Sequence, residues 1–471
     1  MAVQADITLI YPVVGYLLIM GGIGAWAYNK AETADDFLLA GRSLGTAIVA
    51  GTLLATWMGS GSITGGGNSI AYSFGLWPAV LLGTAALGGI LVLRLLAPRI
   101  RGYNKYTIPE ILEEGLGKEA KAIGLVVIAV AYVGIVSYQF IGLGFVLNVT
   151  TGISVETGTL IAAVMIIGLA MLGGLLSVAY TDALSAFLMV IGLLIGLPFI
   201  LASAGGWETI TASVPQESLE PLGSLSALQF LGYWAPVVLL ILADQNMYQR
   251  IVAGKSDEGT NRGMIWWFAG VALASVVIPV IAFAARSMFP NIDPGMAMIS
   301  MTTVIPPWIG GILLAAATAF IITTGNSYLL SASTNVSQDL YRGFINPDAS
   351  DQRVFWLTRV AVVVLGAFAF ILGQYFPTIL SIQILAYTAY GATITPALFA
   401  IFLMRDQVTR IGGIAGMAVG FGVTIAWDTV LQQPFDLNAV IVSAPLAALV
   451  IVGVSLLTST EKSKANVTDI K

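Results

Sequence analysis

The chain alternates long apolar runs with short polar links. Runs of about 20 apolar residues, the length that crosses a bilayer as a helix, fall at residues 7–28, 45–74, 76–98, 122–147, 157–176 and 180–204. They continue at 226–252, 264–289, 307–339, 353–374, 376–404, 410–431 and 438–458. This pattern predicts thirteen transmembrane helices. The longest polar links, 98–121 and 205–225, are too short for a soluble domain. Function must therefore reside among the helices.

Two runs break the pattern. Residues 312–339 are apolar enough to span, yet they carry Thr323, Thr324, Asn326, Ser327, Ser331, Ser333, Thr334 and Asn335. Thr323, Ser327 and Ser331 recur every four residues and stack on one helical face, with Thr324 beside them. Hydroxyl and carbonyl oxygens suit a hard cation such as sodium, and a polar stripe at membrane depth faces a cavity or a partner helix rather than lipid. Ser and Thr also bond back to their own carbonyls and glue helices together, but the density here favours a site. Residues 55–68, ATWMGSGSITGGGN, place five glycines among hydroxyls at mid-membrane depth. Unwound backbone is tolerated there where it lines a cavity, and its freed carbonyls coordinate ions. The competing reading is a tight small-residue packing face. Asp182 reads equally as a functional carboxylate or as a helix N-cap. For Asp244, a pair with Arg250 or a cap is as good a reading as a gate.

Composition narrows the class. With 57% hydrophobic and 10% charged residues, against about a quarter charged in soluble proteins, the chain is an all-α polytopic membrane protein whose setting is the bilayer of the cell membrane. There is no cysteine and no histidine, so disulfides, thiolates, imidazole relays and HExxH metal sites are excluded, and an intramembrane enzyme loses most of its options. The net charge of −5 carries no nucleic-acid signature. The run at 7–28 lacks a basic leader and a small-residue cleavage site, so it reads as a retained helix.

The distribution of basic residues sets the orientation, because cytoplasmic loops retain Lys and Arg. With the N-terminus outside, every one of the twenty Lys and Arg except Arg286 lies in an inner loop, near an inner helix end or in the tail. An odd helix count then places the C-terminus inside. The segment Ala253-Gly254-Lys255-Ser256 looks like the end of a phosphate-binding loop, but Gln249 stands where that motif needs glycine. Without a nucleotide site, uphill transport must draw on an ion gradient.

Several motifs in order carry a family resemblance. Residues 36–44 (DFLLAGRSL) follow the leading helix, and 55–75 form the broken segment ending in Tyr72 and Gly75. Thr107-Ile108-Pro109-Glu110, Gly173-Gly174 with Thr181-Asp182, Gln249-Arg250, Thr323-Thr324 and Asp339-Leu340-Tyr341 complete the series. The chain resembles the sodium:solute symporters, which include sodium-coupled sugar, proline, pantothenate and sialic acid carriers. The resemblance implies a leucine-transporter-like fold of two inverted five-helix repeats, 45–204 and 226–404, with a leading helix at 7–28, two trailing helices over 410–458 and a cytoplasmic tail from 459, all in one transporter domain.

It also implies sites. The principal sodium site would take carbonyls of Ala55, Met58 and Phe320 and hydroxyls of Thr323 and Thr324. A second sodium, held by some members, would fall on Asp182, Asn326 and Ser327 with Thr323, although Asn326 stands where a hydroxyl is usual. Solute contacts are expected from Trp57, Ser60, Ser62 and Thr64, with Gln139, Gln383 and Tyr387, and an inner gate from Asp244, Gln245 and Asn246. With no Lys or Arg near the middle of these spans, the expected solute is small, polar and neutral or zwitterionic. Asn246 at the gate, where sugar carriers have tyrosine, speaks against a sugar. The function implied is sodium symport by alternating access. A proton carrier using Asp182 and a solute sensor on the same fold are the alternatives, and the oligomeric state is left open.

Overall fold

In a bilayer every backbone polar group must find its partner inside the protein, so apolar runs of this length resolve into helices. The computed structural model describes residues 3–28, 39–103, 105, 107–172 and 175–458, and among the described residues every regular element is a helix apart from one isolated bridge between Leu44 and Gly254. The principal helices are α1 (Ile10–Tyr28), α2 (Thr46–Trp57), α3 (Ser60–Ile63), α4 (Gly66–Ser73), α5 (Leu76–Tyr103) and α6 (Ile108–Leu116). They continue with α7 (Lys118–Thr151), α8 (Val155–Leu172), α9 (Leu175–Ser203), α10 (Ala227–Ala243), α11 (Gln245–Ala253) and α12 (Asp257–Met288). The last are α13 (Pro307–Thr334), α14 (Asp351–Gly373), α15 (Ile379–Leu403), α16 (Arg410–Ile425) and α17 (Val440–Thr458). Among the described residues, ten helices are long and apolar enough to span, a bent pair formed by α2 with α3–α4 makes another, and Ile7–Ile23 and Val155–Met171 are shorter apolar helices.

The helix with the hydroxyl stripe is the centre of the bundle. Around α13, 89% of the apolar window is buried, against 28% around α17 at the periphery. It packs on α1, α2, α7, α9 and α14, and beyond Thr334 it widens into a π-type coil, Asn335–Ile345. The single run expected to end at residue 339 thus ends in a changed helical pitch.

Two helices are interrupted. The first kinks by 59° between α2 and α3. The second, expected as one span at 226–252, breaks at Asp244 between α10 and α11. Asp244 has extended backbone (φ −64°, ψ 118°), and its carboxylate accepts the N–H of Asn246 at 2.8 Å, so it is the N-cap of α11.

The basic residues at one end of the bundle act as braces. Arg101 donates to the carbonyls of Ile251 (2.7 Å) and Gly254 (2.9 Å) and pairs with Asp257 at 2.5 Å. Lys121 joins Glu113 on α6 at 2.7 Å to Asp339 at 3.4 Å, tying α6 and α7 to the end of the central helix.

Candidate functional site

The glycine-rich break is where the backbone leaves its own hydrogen-bond ladder. Met58 ends α2 with non-helical backbone (φ −90°, ψ 19°), Gly59 turns sharply (φ −56°, ψ −159°), and Gly65 turns again before α4. Glycine is required at Gly59 by close approach, since a Cβ there would lie 2.5 Å from the Thr324 hydroxyl. That approach brings α13 against the break. Thr324 Oγ1 sits 3.0 Å from the carbonyl oxygen of Ala55 and 3.3 Å from that of Thr56, while Thr323 Oγ1 is 3.4 Å from the carbonyl of Phe320. Ala55, Met58, Phe320, Thr323 and Thr324 are all buried. Two hydroxyls of α13 thus lie against neutral backbone carbonyls, with no cluster of three His, Cys, Asp or Glu among the described residues.

Two glutamines hold the broken ends. Gln139 on α7 accepts the Ser60 N–H at 2.8 Å, and Gln383 on α15 accepts the Gly66 N–H at 2.8 Å, so each satisfies the freed start of a short helix. Gln383 reaches that amide because Gly65 is bare, a Cβ there falling 2.2 Å from its Oε1.

Beside the break lies a partly open cavity. Trp57, Ser62, Gln383 and Tyr387 line it together with Ser275, while Leu82, Ala86, Val237, Val271 and Ile278 supply an apolar wall. Trp57 and Tyr387 have ring centroids 6.5 Å apart, and the Tyr138 hydroxyl is 3.3 Å from that of Tyr387. Among the described residues, no charged side chain lines the cavity. Ser60, Thr64 and Gln139 instead serve the packing of the break against α7. The Ser60 and Thr64 hydroxyls bond to each other, and a Cβ at Gly142 would lie 2.0 Å from Ser60 Oγ.

The expected gate residues lock the second break. The Asp244 carboxylate accepts hydroxyls of Tyr132 (3.0 Å) and Tyr328 as well as the Asn246 N–H. Gln245 donates to Asn335 at 2.9 Å and accepts the Ile108 N–H at 3.2 Å, joining α11, α6 and the end of α13. Asn246 accepts the Ser331 hydroxyl at 2.6 Å.

Arg250 has no ion pair with Asp244. Its guanidinium, fully buried, contacts Asp182 Oδ2 at 3.4 Å and donates to Ser327 at 2.7 Å and to Thr52 at 2.8 Å. Asp182 also accepts the Thr52 hydroxyl at 2.6 Å. Asp182 and Ser327, both expected at a second sodium, are therefore brought together through an arginine. The carbonyl oxygen of the Asn326 side chain has no hydrogen-bond partner among the described residues. Sequence reasoning missed the role of Arg250, although a signal was present: it lies inside the predicted span 226–252, where an arginine demands a buried partner.

A bundle of apolar helices with a central polar helix packed against a glycine break beside a cavity is the architecture of a membrane carrier. The chain belongs to the sodium:solute symporter family, which it matches over residues 37–420. It is 30% identical to a sodium/proline symporter of Haemophilus influenzae, over 94% of this chain and 93% of that one. It is 28% identical to a sodium/pantothenate symporter of Escherichia coli, over 94% and 95%. Among solved structures it resembles a Na+-coupled sialic acid symporter caught substrate-bound and outward-open, with a TM-score of 0.82 at 18% identity over 96% of this chain and 98% of that one. It also resembles the nucleobase-cation symporter Mhp1, with a TM-score of 0.61 at 13% identity over 93% and 98%. These neighbours share the leucine-transporter-like architecture. The chain is thus a sodium-coupled secondary transporter of the cell membrane that imports a small solute.

Proposed function

We propose that this carrier imports a small neutral or zwitterionic solute, with sodium held between the first break and α13 by the carbonyls of Ala55, Met58 and Phe320 and the hydroxyls of Thr323 and Thr324. The observation that carries the ion site is Thr324 Oγ1 at 3.0 Å from the Ala55 carbonyl, a hydroxyl of one helix against the freed backbone of another. The solute class is supported by the uncharged cavity lining, in which Trp57, Ser62, Ser275, Gln383 and Tyr387 are the polar contacts, and by a relative named for proline, a zwitterion. A fixed net charge on the solute would find no counter-ion there, whereas a zwitterion carries its own.

Coupling follows from where the ligands sit. The ion's oxygens come from two helices, so occupancy favours the arrangement in which α2 and α13 are in contact, and that arrangement fixes the end of α2, where Trp57 and Met58 line the solute cavity. A ligand shifts such an equilibrium by its differential affinity for the two states, so ion and solute raise each other's affinity by the same factor. Separation of α2 from α13 after closure on the outer side would release both inward. The proposed topology has thirteen spans with the N-terminus outside and the C-terminus inside, and the repeats run over 45–204 and 226–404. The alternative of a proton carrier on Asp182 is not favoured, because the relatives are named for sodium.

The test is uptake of labelled L-proline, pantothenate, sialic acid and glucose into proteoliposomes with and without an inward sodium gradient. One labelled neutral or zwitterionic solute should accumulate only with sodium, and Thr323→Ala with Thr324→Ala should weaken its sodium dependence about 100-fold, two lost contacts at roughly 1.4 kcal/mol each. Uptake indifferent to sodium and to both substitutions would overturn the site.

A further inference from the structure

The cavity beside the first break has two unlike walls. On one side stand the break and α15, with the polar side chains of Ser62, Gln383 and Tyr387. On the other, α5 presents Ala79, Gly83 and Ala86 and α12 presents Val271, Ser275 and Ile278, each set spaced i, i+4, i+7 and so on one helical face. Ser275 is the polar exception on that wall, well inside a 32-residue helix. A hydroxyl in such a setting ordinarily bonds back to a carbonyl of its own helix, as Thr318 does to Leu314 at 2.8 Å and Ser333 to Leu329 at 2.7 Å. Ser275 makes no such bond, and its hydroxyl has no hydrogen-bond partner among the described residues. Gly83 makes room for it, since a Cβ there would lie 2.4 Å from Ser275 Cβ and 2.6 Å from its Oγ. An unpaired hydroxyl on an apolar wall is costly once water leaves. Whatever fills the cavity must therefore either bond to Ser275 or strand it.

We infer that Ser275 is a specificity-determining residue of this carrier. The zwitterion's charged end lies at Ser62, Gln383 and Tyr387, its compact hydrocarbon body lies on the faces of α5 and α12, and Ser275 bonds a hydroxyl or carbonyl borne by that body. The wall sorts solutes by how many polar groups they bring to it. A polyol such as glucose sets several hydroxyls against a face that answers one. A plain hydrocarbon body fits but leaves Ser275 unpaired, and a body with one hydroxyl fits and pairs it. A site that bonds a solute hydroxyl discriminates against a variant pairing in which that partner is missing.

The inference rests on the reading of this cavity as the site of a zwitterionic solute, and the test separates the two. Calorimetric titration of the purified full-length carrier in detergent, with and without saturating sodium, would use matched pairs that differ by a hydroxyl: L-alanine and L-serine, L-valine and L-threonine, L-proline and hydroxy-L-proline. Both members of one pair should bind wild type in sodium. Ser275→Ala should weaken the hydroxylated member about tenfold relative to its plain partner, one lost hydrogen bond, whereas Ser62→Ala should weaken both members alike. Ser275→Ala keeps the Cβ that packs on Gly83, so the fold has nothing to lose at that contact. A Kd ratio unmoved by Ser275→Ala would overturn the inference, as would a wild type that binds plain members and rejects every hydroxylated one. Sodium-dependent binding of no pair would instead overturn the zwitterion reading itself.

Discussion

The two helix breaks meet the same problem, freed backbone groups at membrane depth, and solve it in opposite ways. At Asp244 the break is sealed by side chains: a carboxylate caps α11 and is itself held by the hydroxyls of Tyr132 and Tyr328. At Gly59 the amides are served by Gln139 and Gln383, but the carbonyl side faces the hydroxyls of α13. A break closed on both its donors and its acceptors is a hinge or a lock. One whose carbonyls meet only hydroxyls at 3.0 and 3.3 Å keeps acceptors for the cation proposed above. The difference lies in the partners and not in the break.

Asp244→Ala should have the largest effect, since it strips the cap from α11 and strands two buried tyrosine hydroxyls, each unsatisfied group costing about 1–3 kcal/mol. The expected outcome is loss of monodisperse protein in fluorescence-detected size exclusion, with Asp244→Asn recovering part of it. A well-folded Asp244→Ala carrier would show that this break is not sealed as described. Next comes Gly59→Ala, whose new methyl would fall 2.5 Å from Thr324 Oγ1. It should weaken sodium activation of uptake by about 10-fold or more, equivalent to roughly 1.4 kcal/mol, while the folded yield stays near wild type. An unchanged sodium dependence would mean that α13 is free to withdraw without loss of the ion.

The glutamines sharpen the comparison within the open break. Gln383 lines the cavity, whereas Gln139 on α7 faces the start of α3, so Gln383→Ala should raise the apparent KM for solute more than Gln139→Ala, with both lowering thermal stability by about 1–3 kcal/mol from an unpaired amide. Equal effects on KM would assign both to structure alone. The smallest change is expected for Ser62→Ala, a single hydroxyl at the cavity wall, worth about 1 kcal/mol of solute affinity. Its signature is a raised KM at unaltered sodium activation.

Much of this was legible beforehand because it is local. The hydroxyl stripe on α13 follows from spacing alone, and the central burial of that helix agrees with it. The glycine cluster at 59–67 announced a kink that no lipid-facing helix would keep. The second break was not legible, because Ala243-Asp244-Gln245 carries no glycine and only the tyrosines from α7 and α13 make the carboxylate a good cap there. Ser60 and Thr64 looked like solute contacts by their place beside Trp57, yet the kink rotates them toward α7 while leaving Ser62 at the cavity.

The sequence by itself determined the class of protein, the central helix, the place of the first break and the oxygens available to an ion, because length, period and glycine content act within a few residues of one another. Tertiary structure alone decided which of those oxygens are already engaged. Arg250 and Asp182 are 68 positions apart, and no local pattern relates them. They meet because burial leaves each charge the other as partner, and that choice governs how the neighbouring hydroxyls are shared.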